Sequence, residues 1–204
     1  MNMTTSGEIR VRGPLKASDL FSLEQYARQR GDFRGRVLEH KKARTIAVGP
    51  NSTWIFEDRL TVQYQIQEML RIERIFEPEG IQDELDAYNP LIPDGGNWKA
   101  TLLIEYPHED ERRAALARLR GVERRCYVQA AGFERVYAIA DEDLERENDE
   151  KTSSVHWLRF ELTVPMRAAV KAGNPVTVGI DHPAYDHSVN LSAASLRSLA
   201  RDLD

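Results

Sequence analysis

Strand and helix patterns do not alternate along this chain, and that constrains its fold more than any other feature. A doubly wound sheet needs strand, helix and strand in regular succession. Here β-rich runs pair directly with each other, and helical runs follow one another. Arg44 to Val48 and Thr53 to Glu57 are β-rich and flank the turn residues Gly49, Pro50, Asn51 and Ser52, which predicts a hairpin. Two helices then come in a row, Leu60 to Phe76 and Glu79 to Tyr88. Lys99 to Tyr106 is a strand, and Glu109 to Arg120 is a helix with acids in its first turn and Gly121 after its end. Arg124 to Ala130 and Arg135 to Ala140 are strands around a turn at Gly132. Ser154 to Leu162 and Pro175 to Ile180 are further strands, separated by a short helix from Pro165. Asp181, His182 and Pro183 form a turn, and Ser192 caps a last helix. The expected fold is α+β, with a mixed or mainly antiparallel sheet and about six helices.

At 204 residues the chain fits one domain with a core that needs no staples. Residues 1–14 read as a flexible N-terminal arm closed by Gly13 and Pro14, and residues 15–204 as a single α+β domain. The first helical stretch runs from Asp19 to Arg30 and is expected to stop at Gly31. A second follows, with Phe33, Val37 and His40 on one face. There is one cysteine, Cys126, in an expected strand, which excludes an internal disulfide and a cysteine cage. It reads as a buried structural thiol in a reducing, cytoplasmic setting. No membrane span and no secretory leader is visible.

The net charge of −5 argues against binding nucleic acid through the overall field. Charge is nonetheless segregated. Arg28 to Arg44 carries seven bases and two acids, whereas Asp141 to Lys151 carries seven acids and two bases. Two solvated surfaces are the ordinary reading, and a docking pair, within the chain or between protomers, is the functional one.

No phosphate loop, His-Glu-x-x-His motif or nucleophile elbow is present. The chemistry-bearing candidates lie elsewhere. On the helix Leu60–Phe76, Thr61, Gln65, Glu68 and Glu73 fall within the apolar arc, with Gln63, Gln67 and Arg74 on the opposite side. A buried carboxylate must be paired, hydrogen-bonded or protonated. Glu68 therefore either pairs with Arg44 or Arg71, or lines a polar pocket with Thr61 and Gln65. Glu57 closes the preceding strand. His156 sits on an apolar strand face, where a satisfied core histidine is the plain alternative to a ligand. Glu68 with His40 or His156 would give the mixed oxygen and nitrogen donors that suit a divalent iron, manganese or zinc. Glu57 and Glu68 are too far apart along the helix to share one ion unless the strand folds back. His182 and His187, five apart in an expected loop, give a weaker metal signal.

Several ordered runs carry a resemblance. They are His40 to Arg44, Phe56-Glu57, Gln65 to Glu73, Glu84 to Asn89, Leu91 to Gly95, Ile139 to Asp143 and Ser154 to Phe160. Together they resemble an uncharacterised bacterial family catalogued as domain of unknown function 3501. The family brings no activity or catalytic residue to transfer. The resemblance implies a genomic neighbourhood of rubrerythrin-like and iron–sulfur proteins, and hence a redox or peroxide-stress setting.

Three readings compete. The first is a non-enzymatic accessory protein that docks on a redox or metalloprotein partner or on a second copy of itself. The second is an enzyme or metal-binding protein with a carboxylate/His site built from Glu57, Glu68, His40 and His156. The third, nucleic-acid binding through the basic helices, lacks interleaved aromatics and is the weakest.

Overall fold

Strand pairing follows the alternation of side chains. A computed structural model describes residues 13–142 and 151–204. In chain order the elements are α1 (Leu23–Lys42), β1 (Thr45–Ala47), β2 (Ser52–Phe56), α2 (Arg59–Glu73), α3 (Pro78–Tyr88), β3 (Asn97–Ile104) and α4 (Glu109–Arg118). They continue with β4 (Cys126–Ala130), β5 (Val136–Tyr137), β6 (Ile139–Ala140), β7 (Val155–Glu161), α5 (Val164–Lys171), β8 (Val176–His182), β9 (Tyr185–Asn190) and α6 (Ala193–Leu199). Every strand pair is antiparallel. The strands form two sheets, ordered β1-β2-β3-β7-β6 and β5-β4-β8-β9. The α+β class holds, with six α-helices among the described residues.

Along β3, Trp98, Ala100, Leu102 and Ile104 are buried while Lys99, Thr101 and Leu103 are less so. That period of two gives the first sheet one apolar face. It shares a core cluster with Val128, Val176, Val178 and Ile180 of the second sheet and with helix residues such as Leu116, Met166 and Leu199. Trp54 stacks on Phe160 at 5.5 Å, and Phe56 meets Trp98 edge-on at 6.0 Å. Cys126 is fully buried here, and burial pushes its thiol well up. Val62, Ile66 and Leu70 of α2 join Leu85 of α3 in a second cluster, which Trp157 of β7 packs against. A third, small cluster holds α1 by Tyr26, Phe33 and Val37 against Leu60 and Tyr64 of α2.

Three expectations need correction. Gly31 does not stop a helix: α1 runs unbroken through Gly31 and Gly35. An interior glycine costs about 1 kcal/mol relative to alanine, but the Tyr26–Phe33–Val37 stripe continues across it. Ser22 also caps the helix start, with Gln25 completing a capping box. Arg135 to Ala140 is not one strand. Val136–Tyr137 pairs with β4 in the second sheet, and Ile139–Ala140 pairs with β7 in the first. Ala138, between them, donates its N–H to the Cys126 carbonyl, so the chain changes sheets at this point. The residues after Pro183 are a strand, β9, rather than a loop. Its run Asp186, His187 and Ser188 is exposed and lacks the apolar alternation that marks strands with a buried face.

Gly95 has φ +101°, and a Cβ placed there would lie 2.1 Å from the Asp204 carboxylate. Its carbonyl also accepts the Asp204 N–H at 2.9 Å. By contrast, a Cβ at Gly31 or Gly35 meets nothing within 4 Å. Gly95→Ala should therefore cost about 2 kcal/mol. Gly31→Ala and Gly35→Ala should each add about 0.5–1 kcal/mol. Urea unfolding midpoints read both signs, and destabilisation by the helix substitutions would contradict this account of α1.

Candidate functional site

Polar groups meet at both ends of the α1–α2 pair. At one end stands Glu68. Its Oε1 accepts the Tyr26 hydroxyl at 2.7 Å and Arg30 Nε at 2.7 Å, and its Oε2 accepts Arg30 Nη2 at 2.9 Å and Arg71 Nη2 at 3.2 Å. The Arg30 fork is thus bidentate. Its hydrogen bonds, helped by those from Tyr26 and Arg71, hold the Glu68 carboxyl down at about 2. Burial, then Glu68, pushes the Tyr26 phenol up. Of the two arginines expected beside Glu68, Arg71 is there and Arg44 is not; Arg30 takes the principal place. The Gln65 side chain makes no hydrogen bond to the described residues, so it does not join Glu68. Gln67, expected to face solvent, is fully buried: its amide pairs with the Phe21 backbone, accepting the N–H at 2.6 Å and donating to the carbonyl at 3.3 Å.

At the other end stands Arg44, which is 1% exposed. Its Nε donates to the Phe56 carbonyl at 2.8 Å, and its Nη2 donates to the Glu57 carbonyl at 2.9 Å and to Asp202 at 2.5 Å. Asp58, the N-cap of α2, lies 3.5 Å from Arg44 Nη1 and accepts His40 Nε2–H at 2.5 Å. Burial works to raise the Asp58 pKa, but the His40 hydrogen bond and the Arg44 charge outweigh it and hold it at about 2. Burial wins at Asp202 and pushes it up to about 6. The Glu57 carboxylate faces hydroxyls instead: Thr61 donates at 2.5 Å and Thr101 at 2.7 Å. Thr61, Glu57, Arg44 and His40 are thereby gathered where the hairpin end meets the start of α2 and the end of α1.

His156 is elsewhere, in the core face of β7. Its Nδ1 meets Asp141 Oδ2 at 2.6 Å, and its Nε2 lies 3.0 Å from both Thr152 Oγ1 and the Ser153 carbonyl. Asp141 has φ +51°, and its other oxygen accepts the Trp157 N–H at 3.0 Å. The structure therefore does not bring Glu68, His40 and His156 together, since each has its own partners. Among the described residues, no three His, Cys, Asp or Glu side chains are grouped so as to hold a metal ion. His182 and His187 also part. His182 donates to the Arg120 carbonyl at 3.0 Å, and the His187 ring packs on Tyr185 at 4.6 Å. Of the expected acidic run, residues 143–150 lie outside the described residues; Glu142 pairs with Arg159 at 2.7 Å. Asp58 carried a sequence signal as a carboxylate three residues before Thr61 at a helix start. Asp202 carried none.

The pKa shifts fix the pH dependence. Glu68 and Asp58 bind protons more weakly in the fold than when unfolded, so their stabilisation is lost as pH falls from about 4 toward about 2. Asp202 binds its proton more tightly in the fold, so its contribution is lost as pH rises from 3.8 through about 6. The urea midpoint should rise as pH falls from 7 to about 5 and fall below about 4. Asp202→Asn should flatten the first limb and Glu68→Gln should shrink the second. Unchanged limbs would refute these assignments. Arg44→Met should cost about 3–5 kcal/mol, because it leaves Asp58 and Asp202 buried without their cation.

Residues 14–203 match the family model described as "Protein of unknown function (DUF3501)". The chain is similar to a novel protein of unknown function from Burkholderia pseudomallei K96243, solved by crystallography. Identity is 52% and the TM-score 0.89, over 93% of this chain and 99% of that one. No curated protein matches. Among the described residues, no helix is long and apolar enough to cross a membrane. With the family model spanning nearly the whole sequence, the chain belongs to the DUF3501 family of proteins of unknown function.

Proposed function

We propose that this is a non-enzymatic interaction protein that docks on a protein partner through the elbow between α2 and α3. The observation that carries the reading is the pair Ile72 and Phe76, 61% and 67% exposed. A large apolar side chain held in water forgoes about 1.5–3 kcal/mol of burial, and two within four residues mark an anchor. Around them the chain is acidic. Glu73, Glu77, Glu79, Asp83, Glu84 and Asp86 stand against two bases, Arg74 and the Arg71 that pairs with Glu68. Among the described residues none of these carboxylates pairs with a lysine or arginine; Asp86 accepts only the Gln82 amide, at 2.7 Å. Burial, then Glu73 and Asp83, raises the Glu84 pKa. A cationic partner with an apolar anchor would relieve that crowding and cover the two side chains.

A redox or peroxide-stress partner is the setting that the family resemblance suggests. The elbow, acidic and apolar, calls for a basic and apolar contact whatever that partner's own activity. The test is affinity purification of tagged wild type beside Ile72→Asp/Phe76→Asp. Both positions are exposed, so the double variant should keep its melting temperature within about 2 °C. Partners retained by wild type and lost from the variant support the docking reading. Identical recovery by both proteins refutes it.

A further inference from the structure

The elbow has a counterpart on the same chain. Helix α1 touches α2 through Tyr26, Phe33 and Val37 only on its inner side, and its outer side faces solvent. That outer side carries Ala27, Gly31, Gly35 and Leu38, all exposed, with Leu38 at 43%. The two glycines have open space where a Cβ would be, so a bulky side chain can approach the helix backbone there. The helix holds six bases and three acids. Arg30 is committed to Glu68 and Lys42 to Glu39, and Arg36 lies over the Phe33 ring at 5.4 Å. Arg28 and Arg34 are exposed and have no carboxylate partner among the described residues; the exposed acids Glu24 and Asp32 have no cation there either, so with Arg36 and Lys41 the uncommitted charges of α1 are four basic and two acidic. One chain thus displays a basic face with a shallow apolar strip and an acidic face with two protruding apolar side chains.

We propose that two copies of this chain associate reciprocally, α1 of each seating the α2–α3 elbow of the other. Ile72 and Phe76 then cover the strip Ala27–Gly31–Gly35–Leu38, and Arg28 and Arg34 face the carboxylates around Glu77 and Glu79. A second copy is the occupant because both halves of the complementary pair are present on every molecule. A two-fold axis uses each half once per chain, so the contact closes on itself and leaves neither face open. A purely acidic elbow would attract any cation. The matching of apolar relief to apolar strip, with opposite charge on each side, selects this helix. Self-association rests on the reading of the elbow as a docking surface and names its partner.

Charge reversal tests it. Sedimentation velocity on the full chain should show a dimer at low salt. Its dissociation constant should rise by about tenfold or more between about 50 mM and about 500 mM NaCl, where screening collapses to a few ångströms. Arg28→Glu/Arg34→Glu alone should be monomeric, and so should Glu77→Lys/Glu79→Lys alone, because each juxtaposes like charges. All four positions are exposed, and circular dichroism with thermal melting checks that the fold persists. Mixed in equal amounts, the two variants should recover dimerisation, since each reversed face then meets its opposite. A monomeric wild type would overturn the proposal, as would a dimer that neither reversal weakens or variants that stay monomeric when mixed. In those cases the affinity comparison of wild type with Ile72→Asp/Phe76→Asp still decides separately whether the elbow docks another protein.

Discussion

The buried guanidinium of Arg44 ties the end of α1 to the end of β2, the start of α2 and the segment around Asp202. It follows α1 by two residues, and two backbone carbonyls at the end of β2 fix its fork. Two carboxylates converge on it, one capping α2 and the other 158 residues along, next to the C-terminus. A lysine has no planar fork and cannot satisfy carbonyls and carboxylates in these directions at once. The cluster sets the two carboxylates of Asp58 and Asp202 against the one guanidinium of Arg44, and burial pushes the Asp202 carboxyl up to about 6. Burial of that cluster is offset only by complete pairing, which makes it a determinant of register rather than a large source of stability. Trp98 adds a second tie to the same end of the chain, donating Nε1–H to the Leu199 carbonyl at 3.0 Å.

How much of this was legible in the sequence depended on whether a local pattern or a distant partner made the decision. The first hairpin, α2, α3 and the buried face of β7 were legible because turn residues and periodicity act over a few positions. Gly31 misled because propensity is local and the stripe from Tyr26 to Val37 is not. Gln67 misled for a similar reason. It sits on what looks like the polar side of α2, but the chain entering α1 passes over it and needs its amide. The expected helix Leu60–Phe76 ends at Glu73, with Arg74 left-handed after it, and Ile72 and Phe76 at its end are exposed. Within the candidate site, Glu68 was legible as a carboxylate on a packed face. Its main partner Arg30 was not, because i,i+3 and i,i+4 rules find Arg71 on the same helix and say nothing of a neighbouring one.

The polar clusters at the two ends of α1 and α2 share a logic. Hydrophobic contact between these helices is thin, limited to the three buried α1 residues and the Leu60 and Tyr64 side chains. The His40–Asp58 hydrogen bond at one end and the Arg30–Glu68 ion pair at the other fix the axial position of α1, which so few apolar contacts would leave loose. Such pairs contribute little net stability when partly exposed. Their directionality sets where α1 lies, and therefore which of its sides is turned outward.

That outward side separates two uses of charge in this molecule. Several carboxylates near the sheets and the helix seam have cations: Glu68 has Arg30, Asp202 has Arg44, Asp181 has Arg125 and Arg135, and Glu142 has Arg159. Among the described residues, those along α3 have none, and neither do Arg28 and Arg34 on α1. Scattered surface charges keep a protein soluble whatever their arrangement. Among the described residues, the uncommitted charges of α1 are mainly basic and those of the α2–α3 elbow mainly acidic, and each face also exposes apolar side chains. Folding gains nothing from that sorting, because intramolecular pairs would have stabilised the monomer at least as well. In the proposed association, opposite sign across the contact raises the encounter rate and like sign rejects the wrong register.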